Sequence, residues 1–248
     1  TFEGAFQLAK DDSKYKIIIP IENSLAGRVA DIHYLIPKYK LQIHAEHFQK
    51  VTHNLLGIKG SEIKDIKSVR SHAQAIGQCK KIILKNKLNA IVSADTAGSA
   101  KFISEKKDKS ESAIASGLAA KIYNLKILKA NIEDEPGNVT RFFVMGKESK
   151  HPELKGKKYI TSCIFKLKST PAALYKALGG FATNGVNLCK LESFSVKNTF
   201  DQVNFYIDIE GHIGDSSLQK ALEELGFHTE KLDVLGVYEA HEYRFKKK

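Results

Sequence analysis

The stretch that decides the fold is GNVTRFFVMG, residues 137–146. After its glycine, most of its residues are β-branched, aromatic or otherwise apolar, which predicts a strand of a packed sheet. A hydroxyl and a guanidinium, Thr140 and Arg141, occupy neighbouring positions just inside the start of this strand. Because successive strand residues point to opposite faces of a sheet, we expect the two side chains to have different surroundings.

Residues 1–145 alternate between strand and helix patterns. Buried-strand or extended patterns occur in KIIIPI, LQIHAEHFQKVTHNLLGI, IKSVR, NAIVSAD and LKILKAN. Helical patterns occur in LAGRVADIHYLIPKY, HAQAIGQCKKIILKNK, TAGSAKFISEKK and SAIASGLAAKIYN. This alternation predicts an α/β domain with largely parallel sheets.

A second region begins after the polar stretch GKESKHPELKGKK, residues 146–158, whose Gly and Pro predict a linker. Beyond it the patterns run strand, helix, strand, strand, helix, strand, which is the split βαβ arrangement. Thr170 followed by Pro171 predicts the start of the first helix here, since Thr is a cap residue and Pro is favoured in the first turn.

Composition limits the class of protein. The 248 residues are 42% hydrophobic and 27% charged, and no apolar run approaches the ~20 residues of a membrane-spanning helix. Cys79, Cys163 and Cys189 lack CxxC spacing, so they favour a reducing, cytoplasmic compartment over a disulfide framework or a zinc site. His44 and His47 have no further ligand set nearby, so we predict no metal site.

The formal net charge of +11 makes a nucleic-acid-binding protein one alternative. The densest lysine clusters, EKKDK, KGKKY and FKKK, lack interleaved aromatic residues suited to stacking on bases. We therefore favour a solvated, lysine-rich surface, whose positive field helps to capture a small anionic substrate.

Short polar residues stand at four places where a strand pattern gives way to a helix pattern. They are Asn23 with Ser24, Ser71, Asp95 with Thr96, and Ser112, and each predicts an N-cap. In open α/β sheets such helix starts border the ligand crevice, and their N–H groups bind anions. Several of them in one domain suit a small acid with more than one carboxylate, to which Arg141 could add a bidentate clamp.

The motifs PIENSLAGRVADIHYL, SHAQAIGQC, DTAGSA and NVTRFFVM together resemble prephenate dehydratase, and PAALYKALGGFATNGVNLCKLES resembles its C-terminal ACT regulatory domain. That family converts prephenate to phenylpyruvate, water and carbon dioxide in L-phenylalanine biosynthesis, so this reaction is expected, without a cofactor. The resemblance implies a two-lobed periplasmic-binding-protein-like (type II) catalytic region with its site in the interlobe cleft. It also implies a βαββαβ ferredoxin-like ACT domain.

The resemblance also implies domain boundaries. They are a catalytic domain over 1–148, a linker over 149–157 and an ACT domain over 158–241, with lobe one at about 1–53 and 130–148 and lobe two at about 54–129. The family opens with a strand and a Gly-x-x-Gly-[Ser/Thr]-[Tyr/Phe]-Ser turn, whereas TFEGAF matches a segment downstream of that turn. We therefore expect the opening strand and turn to be missing from this sequence.

By resemblance, Thr140 is the catalytic residue, which orients and polarises the departing hydroxyl of the substrate. Arg141 is either a carboxylate clamp or a structural ion-pair partner, and Phe142 either walls the substrate ring or is a core aromatic. Glu22 and His72 each have an acid role and a structural role open to them. The predicted substrate-binding residues are Asn23, Ser24, Ser71, Gln74, Thr96, Ser99, Arg141 and Phe142.

ACT domains of this family bind phenylalanine at a dimer interface, through a Gly-Ala-Leu turn and a Glu-Ser-Arg-Pro turn. This chain has Ala172-Ala173-Leu174 and Glu192-Ser193-Phe194-Ser195 instead, so an added Cβ and a lost fork donor predict altered affinity or selectivity. The predicted L-phenylalanine-binding residues are Ala172, Ala173, Leu174, Asn187, Leu188, Glu192 and Ser193. An ACT domain also implies a homodimer or homotetramer.

Two further readings remain open. Arogenate dehydratase would accept the amino analogue of prephenate, and nothing in the sequence decides between the keto and amino substrates. A non-catalytic small-anion-binding or sensor protein would share the fold, although the intact Thr-Arg-Phe sequence argues against it. The expected partners are thus prephenate and L-phenylalanine, with no nucleic acid and no membrane.

Overall fold

The computed structural model describes residues 1–29, 32–148, 151–195 and 203–245. The chain forms two compact units, one from Thr1–Gln49 with Thr140–Lys248 and the other from Lys50–Val139. Residues 149–150 of the predicted linker, and residues 196 and 202 at the ends of two predicted strands, lie outside the described residues. The predicted domain boundaries themselves stay a prediction.

The first unit contains two four-stranded sheets with helices against them. Its N-terminal elements are helix α1 (Phe2–Asp11), strands β1 (Ile17–Asn23) and β2 (Gly27–Arg28), helix α2 (Ile32–Tyr39) and strand β3 (Gln42–Lys50). Strand β9 (Val139–Gly146) returns to this sheet, whose order is β2-β1-β9-β3. Because β9 lies between β1 and β3, residues 139–146 of the GNVTRFFVMG stretch lie inside the sheet rather than at its edge.

The C-terminal part of the first unit has the predicted order of elements. They are β10 (Tyr159–Leu167), α7 (Ala173–Thr183), β11 (Leu188–Ser195), β12 (Val203–Glu210), α8 (Ser216–His228) and β13 (Thr229–Glu239). The sheet order is β11-β12-β10-β13, and its strands pair antiparallel. This order is the ferredoxin-like arrangement.

The two sheets of the first unit share one hydrophobic core. Ile19, Ile43 and Phe143 of the N-terminal sheet pack in a single cluster with Tyr206 and Tyr238 of the C-terminal sheet. Helices α7 and α8 cover the other face of the C-terminal sheet, in a separate cluster. The C-terminal sheet is therefore buried on both faces, as hydrophobic burial favours.

The second unit is a five-stranded sheet between two helical layers. Its elements are β4 (Asn54–Gly57), β5 (Ser68–Ser71), α3 (Ala73–Gly77), α4 (Lys80–Lys85), β6 (Asn89–Val92), α5 (Thr96–Lys106), β7 (Glu111–Ala115), α6 (Gly117–Ile122) and β8 (Lys126–Lys129). The strand order is β6-β5-β7-β4-β8. Helices α3 and α4 pack on one face of the sheet, and α5 and α6 pack on the other.

The expectation of largely parallel sheets was wrong. Strand β5 pairs parallel with β6 and β7, but β4 pairs antiparallel with both of its neighbours. β1 and β9 are antiparallel as well. The alternation of strands and helices along the chain does not reveal these orientations, because they depend on strands that are distant in sequence.

Three predicted helices also differ from the structure. Residues 111–115 form the fully buried strand β7, because short runs of small apolar residues fit a central strand as well as a helix. The helix predicted over 72–87 is split into α3 and α4, since the Asp134 carboxylate accepts a hydrogen bond from Lys81 N at 3.0 Å and satisfies the start of the second helix. The helix predicted from Leu25 is found as α2 over Ile32–Tyr39, whereas Gly27–Arg28 pairs with β1 and residues 30–31 lie outside the described residues.

Most of the predicted caps were also wrong. Asn23 and Ser24 enter the turn between β1 and β2, and Ser112 lies within β7, whereas His72 and Ser116 cap α3 and α6. Asp95 does cap α5, through a hydrogen bond from Gly98 N at 2.5 Å. The first helix after the linker is preceded by Ala172 rather than by Thr170.

One glycine tests the close packing of the two sheets. A Cβ on Gly236 of β13 would lie 2.2 Å from the backbone oxygen of Ile43 in β3, so neither backbone can remain in place. We predict that Gly236→Ala lowers the free energy of unfolding by about 3 kcal/mol or more in urea denaturation. In α7, Gly179→Ala is the matched control, since open space surrounds its Cβ and the gain in helix propensity should stabilise by about 0.4–1 kcal/mol. Equal effects of the two substitutions would contradict the close approach.

Candidate active site

A hydrogen bond between neighbouring strands defines the surroundings of Thr140. Asn23 of β1 lies opposite Thr140 of β9, and its Nδ2 donates to Thr140 Oγ1 at 3.0 Å. The other end of the amide is fixed too, since Asn23 Oδ1 accepts hydrogen bonds from Leu25 N at 3.0 Å and Ala26 N at 2.9 Å. The amide nitrogen must therefore face Thr140. Because Thr140 Oγ1 accepts this hydrogen bond, its own proton is available to a second acceptor.

The residues of β9 alternate between two surroundings, as the sequence predicted. Arg141 and Phe143 are buried in the core, whereas Thr140, Phe142 and Val144 are half-buried on the opposite face. Phe142 lies opposite Pro20 on this second face. The structure thus places Thr140 and Phe142 on one side of the sheet and Arg141 on the other.

Arg141 is the centre of a buried ion cluster in the first unit. Its side chain is 2% exposed, and its Nε donates to Glu46 Oε2 at 2.9 Å. One terminal nitrogen donates to Glu22 Oε1 at 3.0 Å and to Asp208 Oδ2 at 2.5 Å. The other donates to the Tyr238 hydroxyl at 3.0 Å and lies 2.9 Å from Glu46. Every nitrogen of this guanidinium is bonded within the protein, which favours the structural role among the two left open.

Asp208 is the acidic counterpart at the centre of this cluster. It is fully buried, and it accepts hydrogen bonds from Ser162 Oγ at 2.5 Å and from the Tyr206 hydroxyl. Burial acts to raise the pKa of Asp208, but the charge of Arg141 and these hydrogen bonds outweigh it and hold the pKa below its ordinary value. Asp208 therefore stays ionised at neutral pH, which a buried arginine requires.

A second cation links Glu22 to the C-terminal sheet. Lys190 Nζ donates to Glu22 Oε2 and lies 3.1 Å from Glu192 Oε1. Both oxygens of Glu22 are thus paired with cations, which favours its structural role over an acid role. His33 Nε2 is 3.2 Å from Glu192 Oε2, outside hydrogen-bonding geometry. Interaction with the His33 ring, supported by the charge of Lys190, outweighs the opposing effect of burial and lowers the pKa of Glu192 to about 2.

The predicted polar residues of the second unit are mostly engaged within it. Ser71 Oγ donates to Ile114 O at 2.7 Å, and Ser99 Oγ donates to Asp95 O at 2.7 Å. Thr96 is half-buried as the first residue of α5, and Gln74 is exposed in α3. His72 accepts a hydrogen bond from Gln74 N at 3.3 Å, so the structure gives it a capping role.

Gln78, which was not predicted as a site residue, takes part in a hydrogen-bond network of the second unit. Gln78 Oε1 accepts a hydrogen bond from Asn138 Nδ2 at 2.8 Å and lies 2.9 Å from His53 Nε2. The Gln78 oxygen is therefore used internally, and its amide nitrogen turns away from both partners. Gln78 stands inside the motif SHAQAIGQC, so the motif contained it, but only the fold distinguishes it from Gln74.

The predicted effector residues lie on both faces of the C-terminal sheet. Leu174 packs among the residues under α7 and α8, whereas Glu192 faces His33 and Lys190 on the opposite side. A single chain therefore does not bring all seven residues together. Ala172 has φ 58°, the left-handed conformation that favours the glycine of the family's turn.

The described residues contain neither a metal-ion site nor a membrane-spanning helix. No group of three or more His, Cys, Asp or Glu side chains within ranges 1–29, 32–148, 151–195 and 203–245 is arranged to hold a metal ion. In the same ranges, no helix is both long and apolar enough to span a membrane.

This chain is similar to proteins of the prephenate dehydratase family. The model of the family "prephenate dehydratase" matches residues 1–150. A bifunctional N-acyl-homoserine lactone acylase/prephenate dehydratase of Komagataeibacter europaeus is 41% identical over 99% of this chain and 88% of its own length. Arogenate dehydratase/prephenate dehydratase 1 of Arabidopsis thaliana is 36% identical over 96% of this chain, which spans 64% of that protein.

The solved structures agree with the fold. Prephenate dehydratase from Arthrobacter aurescens, in complex with L-Phe, superposes with a TM-score of 0.86 at 30% identity, covering 96% of this chain and 79% of that one. This likeness confirms the predicted fold class, a two-lobed periplasmic-binding-protein-like (type II) region followed by a ferredoxin-like βαββαβ region.

The buried ion cluster predicts a large loss of stability when its arginine is removed. Arg141→Met leaves Asp208 without the cation closest to it and leaves Glu46 paired with Arg244 alone, so the free energy of unfolding should fall by about 3–5 kcal/mol in urea denaturation at pH 7. Because the folded protein holds the pKa of Asp208 below its ordinary 3.8, this stability is complete above about pH 4 and is lost as the pH falls further. The difference between wild type and variant should therefore shrink in acid.

Lys38→Met is the control for this prediction. It removes an exposed cation whose Nζ lies 2.5 Å from Glu3, and it should leave the unfolding midpoint nearly unchanged. If Arg141→Met were as mild as Lys38→Met, the cluster would not stabilise the first unit.

Proposed function

The chain belongs to the prephenate dehydratase family, and we propose on that premise that it converts prephenate to phenylpyruvate, water and carbon dioxide in L-phenylalanine biosynthesis. The single observation that carries the proposal is the hydrogen bond from Asn23 Nδ2 to Thr140 Oγ1. It leaves the threonine proton for another acceptor, which is what departure of a hydroxyl group requires.

The reaction needs little covalent chemistry from the protein. The bond from the ring to its carboxylate breaks, and its electron pair completes the aromatic ring as carbon dioxide leaves. The carbon–oxygen bond of the ring hydroxyl breaks at the same time, and that oxygen leaves as water after gaining one proton. Aromatisation supplies the driving force, so the protein has to hold two carboxylates and assist the departing oxygen.

Thr140 is the residue that assists the departing oxygen in this proposal. A threonine hydroxyl is a poor acid, so it acts by donating a hydrogen bond to the leaving oxygen, and the proton itself comes through solvent. Asn23 positions this donor, because its own amide is held by two backbone N–H groups. Phe142 lies on the same face and would wall the substrate ring.

The remaining predicted residues have unequal support. Asn23 takes part through Thr140, and Ser24, Gln74 and Thr96 stay predictions as substrate contacts. Ser71 and Ser99 would have to exchange their internal hydrogen bonds for a substrate. Arg141 is proposed as a structural ion-pair partner rather than as a clamp.

Two related activities compete with this proposal. The amino substrate arogenate is named for the Arabidopsis relative, and the site residues do not distinguish it from prephenate. An N-acyl-homoserine lactone acylase activity is named for the Komagataeibacter relative, at 41% identity. Acyl transfer at Thr140 would need a general base to take up its proton, and the Asn23 amide nitrogen cannot do this. The geometry of Thr140 therefore supports a dehydratase better than an acylase.

A parallel assay with three substrates tests the proposed activity. Purified protein is incubated with prephenate, arogenate and an N-acyl-homoserine lactone, and phenylpyruvate, phenylalanine and free fatty acid are measured. We expect phenylpyruvate from prephenate. Formation of phenylalanine alone would assign the protein to arogenate instead, and turnover of neither cyclohexadienyl acid would contradict the proposal.

Thr140→Ala tests the catalytic role. Loss of the hydroxyl should lower kcat about 10²- to 10⁴-fold, while the unfolding midpoint changes little, because Thr140 is only half-buried. Thr140→Ser keeps the donor and should retain most of the activity. Thr183→Ala, at the exposed end of α7, is the control and should behave like wild type. Near-normal kcat in Thr140→Ala at saturating prephenate would refute the role.

We also propose that L-phenylalanine binds the C-terminal region, as an ACT domain would, at an interface between two copies of the chain. The positions of Leu174 and Glu192 on opposite sheet faces support a site completed by a second chain. A homodimer or homotetramer in the cytoplasm remains the accompanying prediction. Feedback inhibition by the end product is the regulatory role that this site would have.

Ala172→Gly tests the effector site. It removes a Cβ at a position with φ 58°, so calorimetric titration should show L-phenylalanine binding at least as tight as in wild type. Relief of left-handed strain, about 1–2 kcal/mol, should also offset the entropy cost of the glycine. Ala182→Gly, at an exposed position of α7 outside the predicted effector residues, is the control and should only destabilise the helix. No heat and no inhibition with wild type would overturn the effector proposal.

A further inference from the structure

A small pocket in the second unit lies where two parallel strands end. β5 and β6 run parallel, so their carboxyl ends lie at the same edge of the sheet, where β6 leads into the start of α5. The pocket encloses about 250 Å³ and is lined by Arg70, Ser93, Ala94, Asp95, Gly98, Ser99 and Phe102. In open α/β sheets, ligands bind in crevices of this kind.

Arg70 reaches this pocket because of the pleat of β5. Val69 is buried among the residues under α3 and α4, so Arg70 points to the opposite face of the sheet, toward α5. Its guanidinium lies over the Phe102 ring, with the carbon atom 4.2 Å from the ring centroid. This stacking fixes the plane of the guanidinium before any ligand arrives.

The hydrogen-bonding capacity of Arg70 is unused. Its Nε is shielded from solvent and has no acceptor among the residues that the structure describes. Across the described ranges of the chain, no carboxylate lies within ion-pairing distance of this guanidinium. Arg141 is the contrast, since each of its nitrogens is bonded to a protein group. A half-buried arginine with an oriented, unfilled fork is arranged to receive an anion from outside the protein.

The other polar groups of the pocket are already bonded to one another. Ser99 Oγ donates to Asp95 O, and the hydroxyls of Ser93 and Ser99 are hydrogen-bonded together. The Asp95 carboxylate accepts a hydrogen bond from Gly98 N and so serves the start of α5. Among the polar side chains that line the pocket, Arg70 is therefore the one whose N–H groups have no acceptor in the described residues.

We propose that Arg70 binds a carboxylate of a small organic acid through its guanidinium fork. This proposal rests on the proposed function, because it takes the organic acid to be the dehydratase substrate. Arg70 then has the clamp role that the sequence suggested for Arg141. A planar fork matches a carboxylate with two parallel N–H···O bonds, which an ammonium cannot reproduce.

Steady-state kinetics with prephenate provide the first test. Arg70→Gln should raise KM about 10- to 100-fold, the loss expected for a hydrogen-bonded charge pair, and should change kcat by less than about threefold. Lys101→Gln removes the same charge from an exposed position of α5 and should leave KM unchanged. Arg70→Lys keeps the charge but lacks the fork, so its KM should lie between those of wild type and Arg70→Gln. Arg70→Lys also provides the test of the fork if Arg70→Gln does not fold.

Equilibrium binding separates this proposal from the proposed activity. Prephenate is titrated calorimetrically into Thr140→Ala and into the double variant Thr140→Ala/Arg70→Gln, in which turnover is not needed for the readout. A dissociation constant raised about 10-fold or more in the double variant supports the proposal, even if wild type proves to act on another substrate. Equal affinities in the two proteins, including no binding to either, overturn it, as does a KM in Arg70→Gln equal to that in Lys101→Gln.

Discussion

The first unit depends on one buried ion cluster, in which Arg141 of β9 meets Glu46 of β3 and Asp208 of β12. Its members come from both sheets of the unit, so the two sheets have to pack in the register that brings these charges together. An unpaired charge in this core would cost several kcal/mol, whereas the assembled cluster satisfies every nitrogen of the guanidinium. The apolar residues around it supply the driving force for burial, and the ions specify which strands meet.

The same cluster determines where the candidate catalytic group lies. With Arg141 held in the core, the pleat of β9 places its neighbour Thr140 on the opposite, half-buried face. Antiparallel pairing then sets Asn23 opposite Thr140, and the turn after β1 fixes the amide that donates to its hydroxyl. Two adjacent residues thus have separate surroundings: the arginine is bonded within the core, and the threonine hydroxyl faces the other side of the sheet, where it can donate a hydrogen bond. This division answers why a core strand contains both.

Two strand arginines of this chain, Arg70 of β5 and Arg141 of β9, have opposite environments. Arg141 is saturated by carboxylates and a tyrosine hydroxyl, whereas Arg70 stacks on Phe102 with its donors unused. The local sequences do not separate them, since each arginine follows a β-branched residue within a strand. Only the identity of the distant acceptors distinguishes a structural cation from one that can receive a substrate carboxylate.

The sequence by itself determined the class of fold and the alternation of β9. Apolar residues recur every two positions in strands and about every three and a half positions in helices, because these spacings place side chains on one buried face. This spacing predicted the βαββαβ order of the C-terminal region and most of the strands before it. The tertiary structure decided the rest. In the tertiary structure, residues 111–115 form a central strand and Asn23 lies opposite Thr140 in a pair of strands. The helix predicted over 72–87 is broken near Gln78, whose side chain is hydrogen-bonded to Asn138. The acceptors of Arg141 lie 95 and 67 residues away along the chain, and no local pattern encodes contacts at that separation.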